Sequence, residues 1–134
     1  MRILVMDDYR PHGESLTDFL QTRGHQALYA ETFTEAEWLL RLFPFELAVL
    51  DFDMPDMTGP AVAARLTERL PGVQSIIISA LPLEEARQQE LGGLLFLQKP
   101  VSPAALLEVI RQTELSRQGF PVVVRGGFSV VRRR

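Results

Sequence analysis

The sequence predicts an α/β fold: five short parallel strands in one sheet, with helices covering both faces. Three observations carry this. Short apolar runs, rich in Leu, Ile and Val and apolar on both faces, recur along the chain. Segments of helical periodicity separate them. Turn and cap signals fall between the two kinds of segment, among them Gly24, Phe43-Pro44, Gly59-Pro60, Pro71-Gly72 and Ser102-Pro103. Strands buried on both faces and alternating with helices call for a parallel sheet wound on both sides. Each crossover is then right-handed.

Ile3–Met6 is a continuous apolar run and the first strand. Glu14–Arg23 carries Leu16, Phe19 and Leu20 at helical spacing, with Gly24 as its C-terminal stop. Gln26–Ala30 is a second strand. Thr34-Glu35-Ala36-Glu37 has the pattern of a capping box, opening a helix through Leu42. Glu46–Leu50 is the third strand. Gly59-Pro60 opens a helix to about Leu70, with proline tolerated in the first turn. Gln74–Ser79 contains the β-branched run Ile76-Ile77-Ile78 and is the fourth strand. Leu83–Leu91 is a short helix, and Leu94–Gln98 the fifth strand. Ser102 caps a last helix, with Pro103 at its first position, that runs to about Arg117.

Composition bounds the function. A chain of 134 residues, 46% hydrophobic and 23% charged, fits one globular domain with a real core. It has no apolar run long enough to span a membrane. It has no cysteine, which excludes disulfides and thiolate metal sites. The opening Met1-Arg2-Ile3-Leu4-Val5-Met6-Asp7-Asp8 lacks a signal-peptide layout, so a cytoplasmic protein is expected. Charge is uneven: residues 1–118 carry −7 and residues 119–134 carry +4. An acidic globule is a poor nucleic-acid binder, so no direct nucleic-acid binding is expected of it. Thirteen arginines stand against one lysine, Lys99, which points to a position where a compact ammonium is needed.

Residues 1–118 form one domain on this reading, and 119–134 are an extension. Phe120–Val124 and Phe128–Val131 flank Arg125-Gly126-Gly127, the pattern of a hairpin. A lone hairpin is marginal in water. The extension therefore pairs with a sheet edge, packs on the domain or a partner, serves as a dimerisation arm or a linker, or stays disordered.

The candidate site comes from the polar residues at the strand ends. Asp7-Asp8 follow the first strand, Asp51 the third, Ser79 ends the fourth, and Lys99 follows the fifth. In a parallel sheet these are all carboxyl ends, where ligand sites of open α/β sheets lie. Singly each residue has an ordinary explanation: Asp7-Asp8 as a cap and loop pair, Asp51 as a turn cap, Lys99 as a solvated loop residue. Loop decoration has no reason to bring all of them to one edge. Three carboxylates in one crevice repel each other unless a cation joins them. An all-oxygen ligand set favours a hard ion, Mg²⁺ above the transition metals. Metal and Lys99 together make an anion the natural guest, and an aspartate can itself be the nucleophile in phosphoryl transfer.

With the run Asp51-Phe52-Asp53-Met54-Pro55-Asp56-Met57-Thr58-Gly59, the pair Asp7-Asp8, Ser79-Ala80 and Lys99-Pro100, the chain resembles the receiver domain of two-component response regulators, the CheY-like fold, over about residues 1–118. The resemblance implies a flavodoxin-like sheet of order 2-1-3-4-5. It implies a phosphoacceptor signalling domain, not a turnover enzyme. The phosphoryl group would come from a histidine kinase or phosphotransfer protein in a Mg²⁺-dependent reaction. Asp51 is then the phosphoacceptor. Asp7 and Asp8 are the metal acids, with Asp51 itself and the carbonyl of Asp53 completing the protein's metal ligands. Ser79 and Lys99 hold phosphoryl oxygens, and Ser79 and Phe96 form the switch. The signal would leave, to a downstream protein or a second copy, through the face of the 83–91 helix, the fifth strand and the last helix, or through the extension.

Two departures stand out. Asp53 sets an extra carboxylate beside the acceptor, and the stretch from Ser79 to Lys99 is short for the family. Other readings share some features. Asp51-Phe52-Asp53 is a D-x-D, as in haloacid-dehalogenase-like phosphatases, but it follows the third strand and Pro55 stands where that family has Thr or Val. A flavodoxin would want a Ser/Thr-rich loop after the first strand, where Asp7-Asp8 repel phosphate. A degenerate receiver used only for docking would not need the full set of acids, Ser79 and Lys99.

Overall fold

The computed structural model describes residues 1–82 and 94–119, and the backbone of 128–130. Strands β1 (Arg2–Met6), β2 (Gln26–Ala30), β3 (Leu47–Asp51), β4 (Gln74–Ser79) and β5 (Leu95–Gln98) alternate with helices α1 (Arg10–Thr22), α2 (Phe33–Leu42), α3 (Gly59–Arg69) and α4 (Pro103–Arg117). A last strand, β6 (Phe128–Val130), comes after them. The helix expected over 83–91 lies outside the described residues and takes no label.

The sheet order is β2-β1-β3-β4-β5-β6. The first five strands are parallel, as the sequence requires. Side chains alternate across the pleat and build two cores. Leu4, Met6, Leu50, Ile77 and Phe96 face one way and pack with Ala36 of α2 and Val62 and Leu66 of α3. Ile3, Val5, Val49, Ile76 and Leu97 face the other way and pack with Leu20 of α1 and Leu106, Val109 and Ile110 of α4. Among the described residues, no helix is long and apolar enough to cross a membrane.

Several boundaries differ from the sequence reading, most by a single residue, and three bear on how the elements are set. Helix α1 begins at Arg10, not Glu14, with Pro11 in its first turn. Apolar periodicity does not register those residues, but the fixed φ of proline suits them to a helix start. Gly24 does end this helix, at φ 88°. Helix α2 is capped by Thr32 rather than Thr34: the Glu35 N–H donates to Thr32 Oγ1 at 3.2 Å. The pattern Thr-x-x-Glu occurs at both places, and Phe33, packed against the first core, draws the helix start to the earlier one. Strand β3 runs one residue further than expected, so that Asp51 itself lies in the ladder, opposite Ile78.

Strand β6 is antiparallel to β5, with Leu97 opposite Phe128, Phe96 opposite Ser129 and Leu95 opposite Val130. Of the outcomes open to the extension, this is pairing with a sheet edge, which supplies partners for backbone groups that β5 would otherwise leave bare. The expected first hairpin strand and its Gly-Gly turn lie outside the described residues.

Candidate functional site

Strand order reverses between β1 and β3, so the crevice of this sheet opens between their carboxyl ends. Asp7 and Asp8 leave the end of β1, and Asp51 closes β3. Among the described residues, Asp7, Asp8 and Asp51 form the acidic group whose ligand oxygens lie within 4.8 Å of one another. Asp51 is 7% exposed, while Asp8 is open to solvent. The carboxylate of Asp53 is exposed and lies outside that group.

Backbone bonds hold Asp51 in place from both sides. The Phe52 N–H donates to the Ile78 carbonyl at 2.8 Å, and the Gly59 N–H to the Phe52 carbonyl at 2.8 Å. The start of α3 folds so close over the end of β3 that a Cβ on Gly59 would sit 2.6 Å from the Asp51 carbonyl oxygen. Only glycine fits there. Thr58 caps α3 in the preceding position, its Oγ1 accepting from the Ala61 N–H at 3.3 Å.

Lys99 reaches the acids from the far side. Its N–H donates to the Ser79 carbonyl at 2.8 Å, which fixes the chain leaving β5 against the end of β4. From there Lys99 Nζ lies 3.1 Å from Asp51 Oδ1. The next peptide bond, to Pro100, is cis. Burial pushes the Asp51 carboxyl above the usual range, and the Lys99 ammonium opposes this, with Asp7 and Asp8 adding to the rise. Asp51 is thus an acid whose charge is costly in this place unless cations share it.

Ser79 is 1% exposed, and its hydroxyl accepts the Leu81 N–H at 3.0 Å. Phe96 is 3% exposed and packed into the α2–α3 core, so it stands behind the site, not in it.

Asp7 has a support that the sequence reading missed. Its Oδ1 accepts the Tyr9 N–H at 2.9 Å. Its carbonyl accepts the Tyr29 hydroxyl at 2.5 Å. Burial pushes the Tyr29 phenol up to about 12, further from ionisation than an ordinary phenol. Nothing in the strand pattern of β2 marks Tyr29; the only hint is a glycine, Gly13, inside the helix that crosses it.

The donor set fits a hard divalent cation: three carboxylates converge, with no histidine or thiolate among them. The model of the response regulator receiver domain family matches residues 3–111. The chain belongs to that family. Receiver domains are phosphoacceptor signalling modules, not enzymes that turn over a substrate, and they interact with histidine kinases. The acidic triad is typical of the Mg²⁺ site of such receivers. The transcriptional regulatory protein CusR of Escherichia coli is 30% identical over 132 residues, covering 97% of this chain and 57% of CusR. The chain thus spans little more than half of that relative. A CheY-like receiver domain protein from Methanospirillum hungatei has the same fold, with a TM-score of 0.76 and 27% identity over 89% of this chain and 98% of that one. The regulator TrrA of Thermotoga maritima, solved with Mg²⁺ and BeF, is 25% identical with a TM-score of 0.71, over 84% of this chain and 97% of that one.

Proposed function

We propose that the receiver, residues 1–118, accepts a phosphoryl group on Asp51 from a phosphohistidine of a histidine kinase or phosphotransfer protein. One observation carries the reading: a nearly buried Asp51 with Lys99 Nζ at 3.1 Å and the carboxylates of Asp7 and Asp8 beside it. The Asp51 carboxylate attacks phosphorus, the P–N bond to the donor imidazole breaks, and the imidazole nitrogen keeps the electron pair and takes up a proton from solvent. Lys99 already touches the acceptor and stabilises charge on the phosphoryl oxygens as the group transfers. Asp7, Asp8 and Asp51, with the Asp53 carbonyl, would hold Mg²⁺, which would offset the negative charge gathered at the acceptor.

The donor has a place to dock. A groove of about 620 Å³ runs from Asp7 and Lys99 between α1 and α4, floored by Leu16, Phe19, Val101 and Leu106. Its apolar lining suits an apolar face of the donor protein. A donor of this kind places the domain in the cytoplasm.

The signal leaves through Ser79 and Phe96. To donate its hydroxyl to a phosphoryl oxygen, Ser79 moves toward Asp51 and pulls on the bond that it accepts from the Leu81 N–H, which shifts the chain just beyond β4. Space then opens beside Phe96 on β5, the strand that β6 of the 119–134 extension borders. Two packings of this edge form the two states of the switch, read by a downstream protein or a second copy.

Labelling with a small phosphodonor, with and without Mg²⁺, tests the assignment. Wild-type protein labels only with Mg²⁺, and Asp51→Asn does not label. Label that persists in Asp51→Asn would place the acceptor elsewhere.

A further inference from the structure

We propose that Tyr29 is a positioning residue for the acidic site: its hydroxyl, donated to the Asp7 carbonyl, sets the turn that aims the Asp7 and Asp8 carboxylates at Asp51. The inference rests on the reading of these acids as a Mg²⁺ site.

Only residues 7–9 separate β1 from α1, so the aim of both acids is decided by a very short turn. Asp8 is exposed, so packing does little to hold it. Asp7 is held from two directions. The Tyr9 N–H donates to one carboxylate oxygen at 2.9 Å, and the Tyr29 hydroxyl donates to the carbonyl at 2.5 Å. The first bond lies within the turn and moves with it. The second is anchored in β2, where Tyr29 stands opposite Val5 in the ladder. It is the one that ties the turn to the sheet.

The rest of the surroundings is arranged for this tyrosine. A Cβ on Gly13 would sit 2.0 Å from Tyr29 Cε1, so the ring lies directly on the backbone of α1. Glycine inside a helix is unfavourable relative to alanine, and here the space it leaves is filled by the ring. Arg10 lies over the ring at 5.3 Å and is itself held by Glu31 at 3.0 Å and Glu14 at 3.6 Å. Ring packing alone would be served by phenylalanine. The hydroxyl adds a directed bond to a residue of the acidic group, as partners behind metal ligands do.

The test uses Tyr29→Phe and Gly13→Ala in the full chain. Phenylalanine keeps the ring and drops the hydroxyl; alanine pushes the ring off α1. Mg²⁺ affinity is measured by calorimetry, Asp7 and Asp8 amide shifts by NMR, and thermal stability alongside. Both variants should bind Mg²⁺ about three- to ten-fold more weakly, the worth of one hydrogen bond. Their Asp7 and Asp8 amides should shift before any Mg²⁺ is added, and saturating Mg²⁺ should restore most of the labelling rate. Wild-type Mg²⁺ affinity in either folded variant overturns the proposal, and lowered stability with unchanged affinity does the same by assigning Tyr29 a purely structural role. Wild-type protein that binds no Mg²⁺ would overturn the metal reading itself, a failure distinct from a variant that matches a binding-competent wild type.

Discussion

Gly59→Ala sets two physical effects against each other. Gly59 is the first residue of α3, and on helix propensity alone alanine should stabilise the protein by up to about 1 kcal/mol. The new Cβ, however, would lie 2.6 Å from the Asp51 carbonyl oxygen and 3.2 Å from both the Asp51 carbonyl carbon and Phe52 Cα. The closest of these is about 0.8 Å short of ordinary contact, and all three atoms are backbone. No rotamer change relieves them. Either α3 backs away from β3, stretching the Gly59 N–H bond to Phe52, or the end of β3 moves and carries Asp51 with it. Overpacking costs about 1–3 kcal/mol, and with rigid backbone on every side the upper part of that range, about 2–3 kcal/mol, applies, so the contact should win by about 1–2 kcal/mol. Urea unfolding should show a lower midpoint with an unchanged slope. The thermal midpoint should fall by several degrees. A variant as stable as wild type, or more so, would refute the claim that the start of α3 is locked against the acceptor.

Two further predictions concern the ends of the sheet. Glu46 accepts the Arg2 N–H at 2.9 Å and faces Arg2 and Arg117 side chains, and the N–H bond chiefly holds its carboxyl below the usual range. A depressed carboxyl stabilises the fold above its unfolded pKa and loses that contribution as pH falls through the folded one. Glu46→Gln should therefore cost about 1 kcal/mol at neutral pH and almost nothing in strong acid, by denaturant unfolding; an equal difference at both would remove the charge from the explanation. Deleting residues 120–134 bares the edge of β5, so amide exchange within Leu95–Leu97 should quicken while β1 and β3 stay protected. Unchanged exchange on β5 would mean that β6 does not guard that edge.

Much of the fold was legible because parallel strands buried on both faces leave unmistakable apolar runs. The carboxyl ends of the strands were legible to within a residue, β3 running on to include Asp51, and with them the edge that carries Asp7, Asp8, Asp51, Ser79 and Lys99. Helix starts were less so. At α1 a proline-containing turn has no apolar period, and at α2 two overlapping Thr-x-x-Glu patterns compete until Phe33 finds its core. These are packing decisions, and local pattern does not contain them.

The amino-acid order by itself determined the α/β class, the acceptor candidate, the acids around it and the single lysine, because each is tied to the end of a recognisable strand. Tertiary structure alone decided how those groups are held. Gly59 must be glycine because α3 folds onto Asp51. Tyr29 and Gly13 meet because β2 lies beneath α1. Strand β6 joins β5 because that edge has backbone groups to pair. Each depends on how closely two elements approach in space, and that approach is what a one-dimensional pattern cannot express.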